Sequence, residues 1–207
     1  MQITKFDHSC FYIEKDGRGL LFDPVEYGHE LPDFNSIDTI VITHKHGDHF
    51  QPEVLNRIRA NNPDAEIFMT ADNVENVDGA KSAKNGDKVK SGAFDLEFYG
   101  GNHACIVSGV VPCQNIGAVV DDVFANSGDS FDLPPVPVKI LSVPITAPWM
   151  KVEETMNYIT AAKPEIVVPR HDALCSELGD EVQDNWIQQA CDKVGAEYRK
   201  IHFGRVV

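Results

Sequence analysis

The segment Thr43-His44-Lys45-His46-Gly47-Asp48-His49 places three of the chain's eight histidines and one carboxylate within six residues, directly after the apolar run "TIVI". Imidazole and carboxylate are the ligands that suit zinc, manganese and iron, and catalytic sites leave one position open for water. A turn at a strand end can aim His44 and His46 to one side, while Asp48 and His49 reach a second point close by. Gly47 is expected to give the backbone the freedom such a turn needs. The pattern H-x-H-x-D-H therefore offers two ligands to each of two neighbouring cations. The plain alternative is an exposed polar turn rich in imidazole.

The flanking elements must hold this turn in place. "DTIVIT" (38–43) is a near-continuous apolar run of strand length, as expected for a strand covered on both faces. After the histidines, Pro52 suits a first helical position. Val54, Leu55 and Ile58 supply one helical stripe, and Asn61-Asn62-Pro63 ends it. Before the turn, "ITKF", "CFYIEK" and "GLLFDP" read as short strands, with Asp16-Gly17 suited to a tight hairpin. Further strands are expected at 65–70, 94–100, 116–122, 123–128, 138–144 and 165–169, a helical turn at "DNVENV", helices at 151–163 and 181–194, and a terminal strand in "AEYRKIHF". Two strand-rich halves with helices between them predict an α/β layered sandwich.

The 207 residues fit one domain, 1–207, with enough chain to bury most of its apolar surface. A net charge of −14 argues against nucleic acid and anionic membrane as partners, since both require a cationic footprint. Only Lys81, Lys84, Lys88 and Lys90 form a modest basic cluster. The N-terminal segment lacks the pattern of a signal peptide, and no run approaches the ~18 apolar residues of a membrane span. Five cysteines without a C-x-x-C pair fit reduced thiols, hence a cytoplasmic setting, each more readily a small buried hydrophobe than a ligand. Homo-oligomers are common among cytoplasmic proteins, and the sequence leaves oligomeric state open.

"THKHGDH" resembles the metallo-β-lactamase superfamily signature T-H-x-H-x-D-H at every fixed position. The resemblance implies a four-layer αββα sandwich and names where further ligands should stand. A third histidine for the first metal is expected roughly fifty to sixty residues on, and His103 in "YGGNHACI" is there. A bridging aspartate should follow in a Gly-Asp context, as Asp129 does in "ANSGDSF"; a last histidine should follow a late buried strand, as His171 does in "EIVVPRHDA". "FDHSCFYIE" is similar to the Gly-His-Ser/Ala entrance of the subgroup related to ascorbate-6-phosphate lactonase, with Asp7 in place of glycine, which implies a supporting or substrate-facing role for His8. Asp23 in "LLFDP" matches the family's early aspartate, which orients the metal-binding turn by hydrogen bonds. His29 and His202 have no ligand role in the match. The segment 141–172 resembles the closing part of the same subgroup. It sets Trp149 and Met150 on a loop where they contact substrate or anchor the loop by packing, and Arg170 beside a ligand, to pair with a substrate anion or with Asp172.

The resemblance implies a hydrolase with two divalent cations, zinc by default and manganese or iron as alternatives. His44, His46 and His103 would hold the first, Asp48, His49 and His171 the second, and Asp129 would bridge them. A water between two such cations loses a proton near neutral pH, and Asp48 could accept that proton. Ester, lactone, thioester, amide or phosphodiester bonds of a small molecule all suit this chemistry. The competing reading is a non-catalytic metal-binding or scaffold protein that keeps the fold.

Overall fold

The computed structural model describes residues 1–201 and 203–207. The first half runs β1 (Gln2–Lys5), β2 (Phe11–Lys15), β3 (Arg18–Phe22), β4 (Ile37–Val41), α1 (Pro52–Asn61), β5 (Glu66–Met69) and β6 (Lys81–Ser82). The second half runs β7 (Lys88–Ser91), β8 (Phe94–Tyr99), β9 (Gly117–Val120), β10 (Phe124–Asn126), β11 (Ile140–Pro144), α2 (Val152–Ala162), β12 (Ile166–Arg170), α3 (Glu177–Val194) and β13 (Glu197–Tyr198). The chain then returns to the first sheet with β14 (Arg205–Val206).

Two seven-stranded sheets result, ordered β14-β1-β2-β3-β4-β5-β6 and β13-β12-β11-β10-β9-β8-β7. Each is antiparallel on one side and parallel on the other, the change falling at β3 and at β10. The antiparallel side starts from local hairpins. Asp16 and Gly17 both take positive φ, 53° and 75°, as a two-residue turn matched to strand twist requires. The parallel side needs crossovers, and α1, α2 and α3 supply those from β4 to β5, β11 to β12 and β12 to β13.

The apolar runs explain the layering. On β3, Leu20 and Phe22 face the inter-sheet core while Leu21 faces the α1 side. On β12, Ile166 and Val168 face the inter-sheet core and Val167 faces α2 and α3. Aromatic rings meet across the sheets, Phe11 with Phe124 at 5.2 Å and Phe68 with Phe98 at 5.4 Å between centroids. Strands buried on both faces are the middle of a four-layer αββα sandwich. Among the described residues no helix is long and apolar enough to cross a membrane.

Several boundaries differ from the sequence expectation. Helix α3 starts four residues before 181 because Ser176 caps it, its hydroxyl accepting from the Gly179 N–H at 3.1 Å. The strand expected in "AEYRKIHF" is only Glu197–Tyr198, and β14 follows it; His202 lies outside the described residues.

The stop of α1 also fastens the sheet. Buried Asn62 accepts from Ile37 N–H at 2.8 Å and donates to the Phe34 and Ile58 carbonyls at 2.9 and 2.8 Å. Asn62→Ala strands three buried backbone groups. It is expected to lower unfolding free energy by about 2–4 kcal/mol in a urea titration.

Candidate metal centre

The site forms where strands of both sheets end on the same side. The β4 end supplies His44, His46, Asp48 and His49, and the β8–β9 connection His103. Asp129 follows β10, His171 follows β12, Asp23 follows β3, and His8 sits in the β1–β2 turn. His44, His49, His103, Asp129, His171 and His8 are all buried, and solvent reaches the cluster at His46 and Asp48.

Asp129 is at the centre. Its Oδ2 lies 3.1 Å from His171 Nε2, 3.4 Å from His103 Nε2 and 3.9 Å from His44 Nε2, and its Oδ1 lies 3.3 Å from His49 Nε2. Asp48 Oδ2 stands 3.5 Å from His171 Nε2 and 3.4 Å from His8 Nε2. The atoms fall into groups of mutual approach within 4.8 Å: His44, His46 and His103; His8, Asp48, His49 and His171; and His44, His49 and Asp129. His8, given no ligand position by sequence, thus joins the second group; only its folded contact with Asp48 reveals that.

The hydrogen bonds behind the rings fix their tautomers. His49 Nδ1–H donates to Asp23 Oδ2 at 2.8 Å, His103 Nδ1–H to the Ala104 carbonyl at 2.6 Å and His171 Nδ1–H to the Thr146 carbonyl at 2.5 Å. Thr43 Oγ1 donates to Asp23 Oδ2 at 2.8 Å and so can accept from His44 Nδ1–H at 3.1 Å. Four rings are thereby left presenting Nε2 as a lone pair. His46 is turned the other way, with Nδ1 3.1 Å from His44 Nε2 and Nε2 3.6 Å from Cys113 Sγ.

Buried nitrogens so presented need a partner. Nε2 of His49, His103 and His171 and both ring nitrogens of His8 have no hydrogen-bond partner in the protein. The 3.1–3.5 Å separations match the roughly 3.3 Å edge of a tetrahedral shell with metal–nitrogen bonds of ~2.0–2.1 Å. Electrostatics agrees. Burial alone would lower His49, but Asp129 and Asp23 outweigh it and push the ring up to about 10. His8, dominated by burial, falls to about 4. Burial opposes ionisation of Asp48 and Asp129, yet the histidines around each hold it below the usual carboxylate range. The cavity is arranged for positive charge: without a cation the two carboxylates hold that charge as a proton on His49, and a cation taking the proton's place would leave the rings neutral.

A family model described as a beta-lactamase superfamily domain matches residues 2–117. Protein Rv0786c of Mycobacterium tuberculosis is 31% identical over 180 residues, 84% of this chain and 85% of that protein. The chain belongs to the β-lactamase superfamily. It is also 28% identical to a UPF0173 metal-dependent hydrolase of Salinibacter ruber, with 96% of each chain covered. A solved structure of Igni18, a metallo hydrolase from Ignicoccus hospitalis, shares the fold with a TM-score of 0.75 at 22% identity, covering 100% of this chain and 97% of that one.

Within this superfamily frame, the supporting residues take definite places. Asp23 is fully buried and accepts from the Thr43 N–H at 2.7 Å besides bonding Thr43 Oγ1 and His49. Trp149 donates its indole N–H to Asp129 Oδ2 at 3.1 Å and packs edge-on against His103 and Phe131. Arg170 does not pair with Asp172. It has no exposed surface, donates to Asp129 Oδ1 at 3.2 Å and to Ser127 Oγ at 3.0 Å, and also bonds the Gly128 carbonyl. Asp172 instead accepts from buried Lys5 at 2.7 Å.

Two other expectations need correction, and Asp7 gains a role. Gly47 has no positive φ, and a Cβ there meets nothing within 4 Å, so the turn makes no conformational demand for glycine. Only Cys10 and Cys191 are buried; Cys105 is exposed and Cys113 lies against His46. Asp7, standing where the subgroup has glycine, accepts from the Tyr27 and His29 N–H groups at 3.2 and 2.6 Å and pairs with the exposed His29 ring. It fastens the loop that stacks Tyr27 on His8.

Because Asp23 orients both His49 and the Thr43–His44 relay, Asp23→Ala is expected to weaken metal affinity about 10–100-fold. Competition with a chromogenic chelator measures this.

Proposed function

We propose that the protein is a metal-dependent hydrolase using two divalent cations on a small cytoplasmic substrate. Zinc suits the histidine-rich donor set, and manganese or iron are alternatives. His44, His46 and His103 would hold one cation, Asp48, His49 and His171 the other, with Asp129 shared. The observation carrying this reading is the set of buried ring nitrogens that converge on Asp129 with no hydrogen-bond partner in the protein. Bound divalent cations acidify water and polarise a carbonyl or phosphoryl oxygen.

The chain's residues supply the rest. Asp48 stands at the open edge, and its Oδ2 faces Nε2 of His8 and of His171 at 3.4 and 3.5 Å. Its other oxygen accepts the proton of the attacking water. Arg170 and Trp149 hold Asp129 from behind, so the shared carboxylate does not rotate when charge develops. Buried His8 keeps water from the rear of Asp48. Five free thiols support a cytoplasmic setting, and the negative net charge supports a small molecule over nucleic acid or membrane as the partner.

A panel of esters, lactones, thioesters, amides and phosphodiesters tests the reading. At least one class should be hydrolysed, with activity lost to a chelator and restored by zinc, manganese or iron. Tight metal binding with no turnover of any class would favour the non-catalytic alternative.

A further inference from the structure

We propose that residues 104–112, between His103 and Cys113, form an apolar recognition loop that receives an uncharged hydrocarbon arm of the substrate; this rests on the hydrolase reading above. The stretch "ACIVSGVVP" has no acid, base or histidine in a chain that is 24% charged. Ile106, Val107, Val110 and Val111 are 45%, 58%, 63% and 90% exposed. Full burial would stabilise each by about 1.5–3 kcal/mol relative to water, so the cluster is a surface awaiting an apolar group.

Its stem is tied to the metal centre. The His103 N–H donates to the Cys113 carbonyl at 3.0 Å, closing the loop, and the Ala104 N–H donates to the Asp129 carbonyl at 2.8 Å. Cys113 Sγ lies 3.6 Å from Nε2 of His46, at the open edge of the site. The tip turns back through a Val110 N–H to Val107 carbonyl bond of 3.1 Å. No loop residue is more than five from a stem residue, a reach of roughly 17 Å.

Size decides the occupant. The four side chains expose roughly 400 Å², half of the ~800 Å² per partner that a specific protein interface buries. A net charge of −14 disfavours an anionic bilayer. An acyl, alkyl or aryl arm on the scissile ester, lactone or thioester fits both limits.

The test uses p-nitrophenyl acetate, butyrate and octanoate with wild type and the triple variant Ile106→Ser, Val107→Ser, Val111→Ser. Wild-type kcat/KM should rise with chain length by up to about fourfold per buried methylene. The variant should lose that rise while keeping acetate turnover, bound metal and thermal midpoint. Independently, N-phenyl-1-naphthylamine should fluoresce on wild type, be displaced by methyl octanoate, and stay dark with the variant. The idea is overturned if acetate is cleaved with no chain-length dependence, if the variant keeps the dependence, or if sedimentation shows a dimer that the variant dissociates. Should no ester be cleaved, the hydrolase reading fails for esters, and dye binding alone decides the loop.

Discussion

Asp48→Asn is expected to lower kcat/KM by about 10²–10⁴, the range that a positioned proton acceptor contributes. Asparagine keeps the size of the side chain facing His8 and His171 and removes the charge. Burial works against an ionised Asp48, and the His171 and His8 contacts overcome it, so the wild-type side chain is ionised. The same exchange takes an anionic ligand from the second cation group. Bound metal should therefore fall below the wild-type content while the thermal midpoint of the metal-free protein changes little. Steady-state kinetics with elemental analysis of the same sample separates the two effects. Wild-type turnover by the variant would remove Asp48 from the chemistry.

Gly128→Ala is expected to cost about 3 kcal/mol or more, combining overpacking with a left-handed backbone. Gly128 has φ +57°, and a Cβ would overlap Asn115 Oδ1 and stand 2.7 Å from Thr43 Cβ. Neither neighbour can yield. Asn115 accepts from the Asp129 N–H at 2.9 Å and donates to the Ser127 carbonyl at 2.8 Å, while Thr43 is bound through Asp23. The methyl group would push apart the turns that carry Asp129 and His44. Unfolding in urea measures the loss, and metal affinity should fall with it. Gly47→Ala is the matched control and should change stability by less than about 0.5 kcal/mol.

The contrast between these glycines shows what the sequence could disclose. Both stand next to an aspartate among candidate ligands, yet only Gly128 is confined, by residues 13 and 85 positions away in the chain. The order of the candidate donors was legible because each follows a strand end, and strands announce themselves by apolar runs such as "DTIVIT" and "EIVVP". The β6, β7 and β14 strands carry no such run: "KS", "KVKS" and "RV" lie at or next to sheet edges, where pairing rather than burial defines them. Supports of the centre were legible only as candidates. Nothing local in "VPRHD" says that Arg170 turns inward to Asp129 while Asp172 meets Lys5, 167 residues away. Likewise Trp149 reaches Asp129 and Cys113 reaches His46 through the folded topology alone.

The central claim is that two cations share Asp129, and metal stoichiometry tests it most directly. Protein prepared under metal-replete conditions and freed of loosely held ions should carry about two equivalents of divalent metal per chain, as a shared two-cation centre requires. Less than about one equivalent under the same conditions would contradict a two-cation centre.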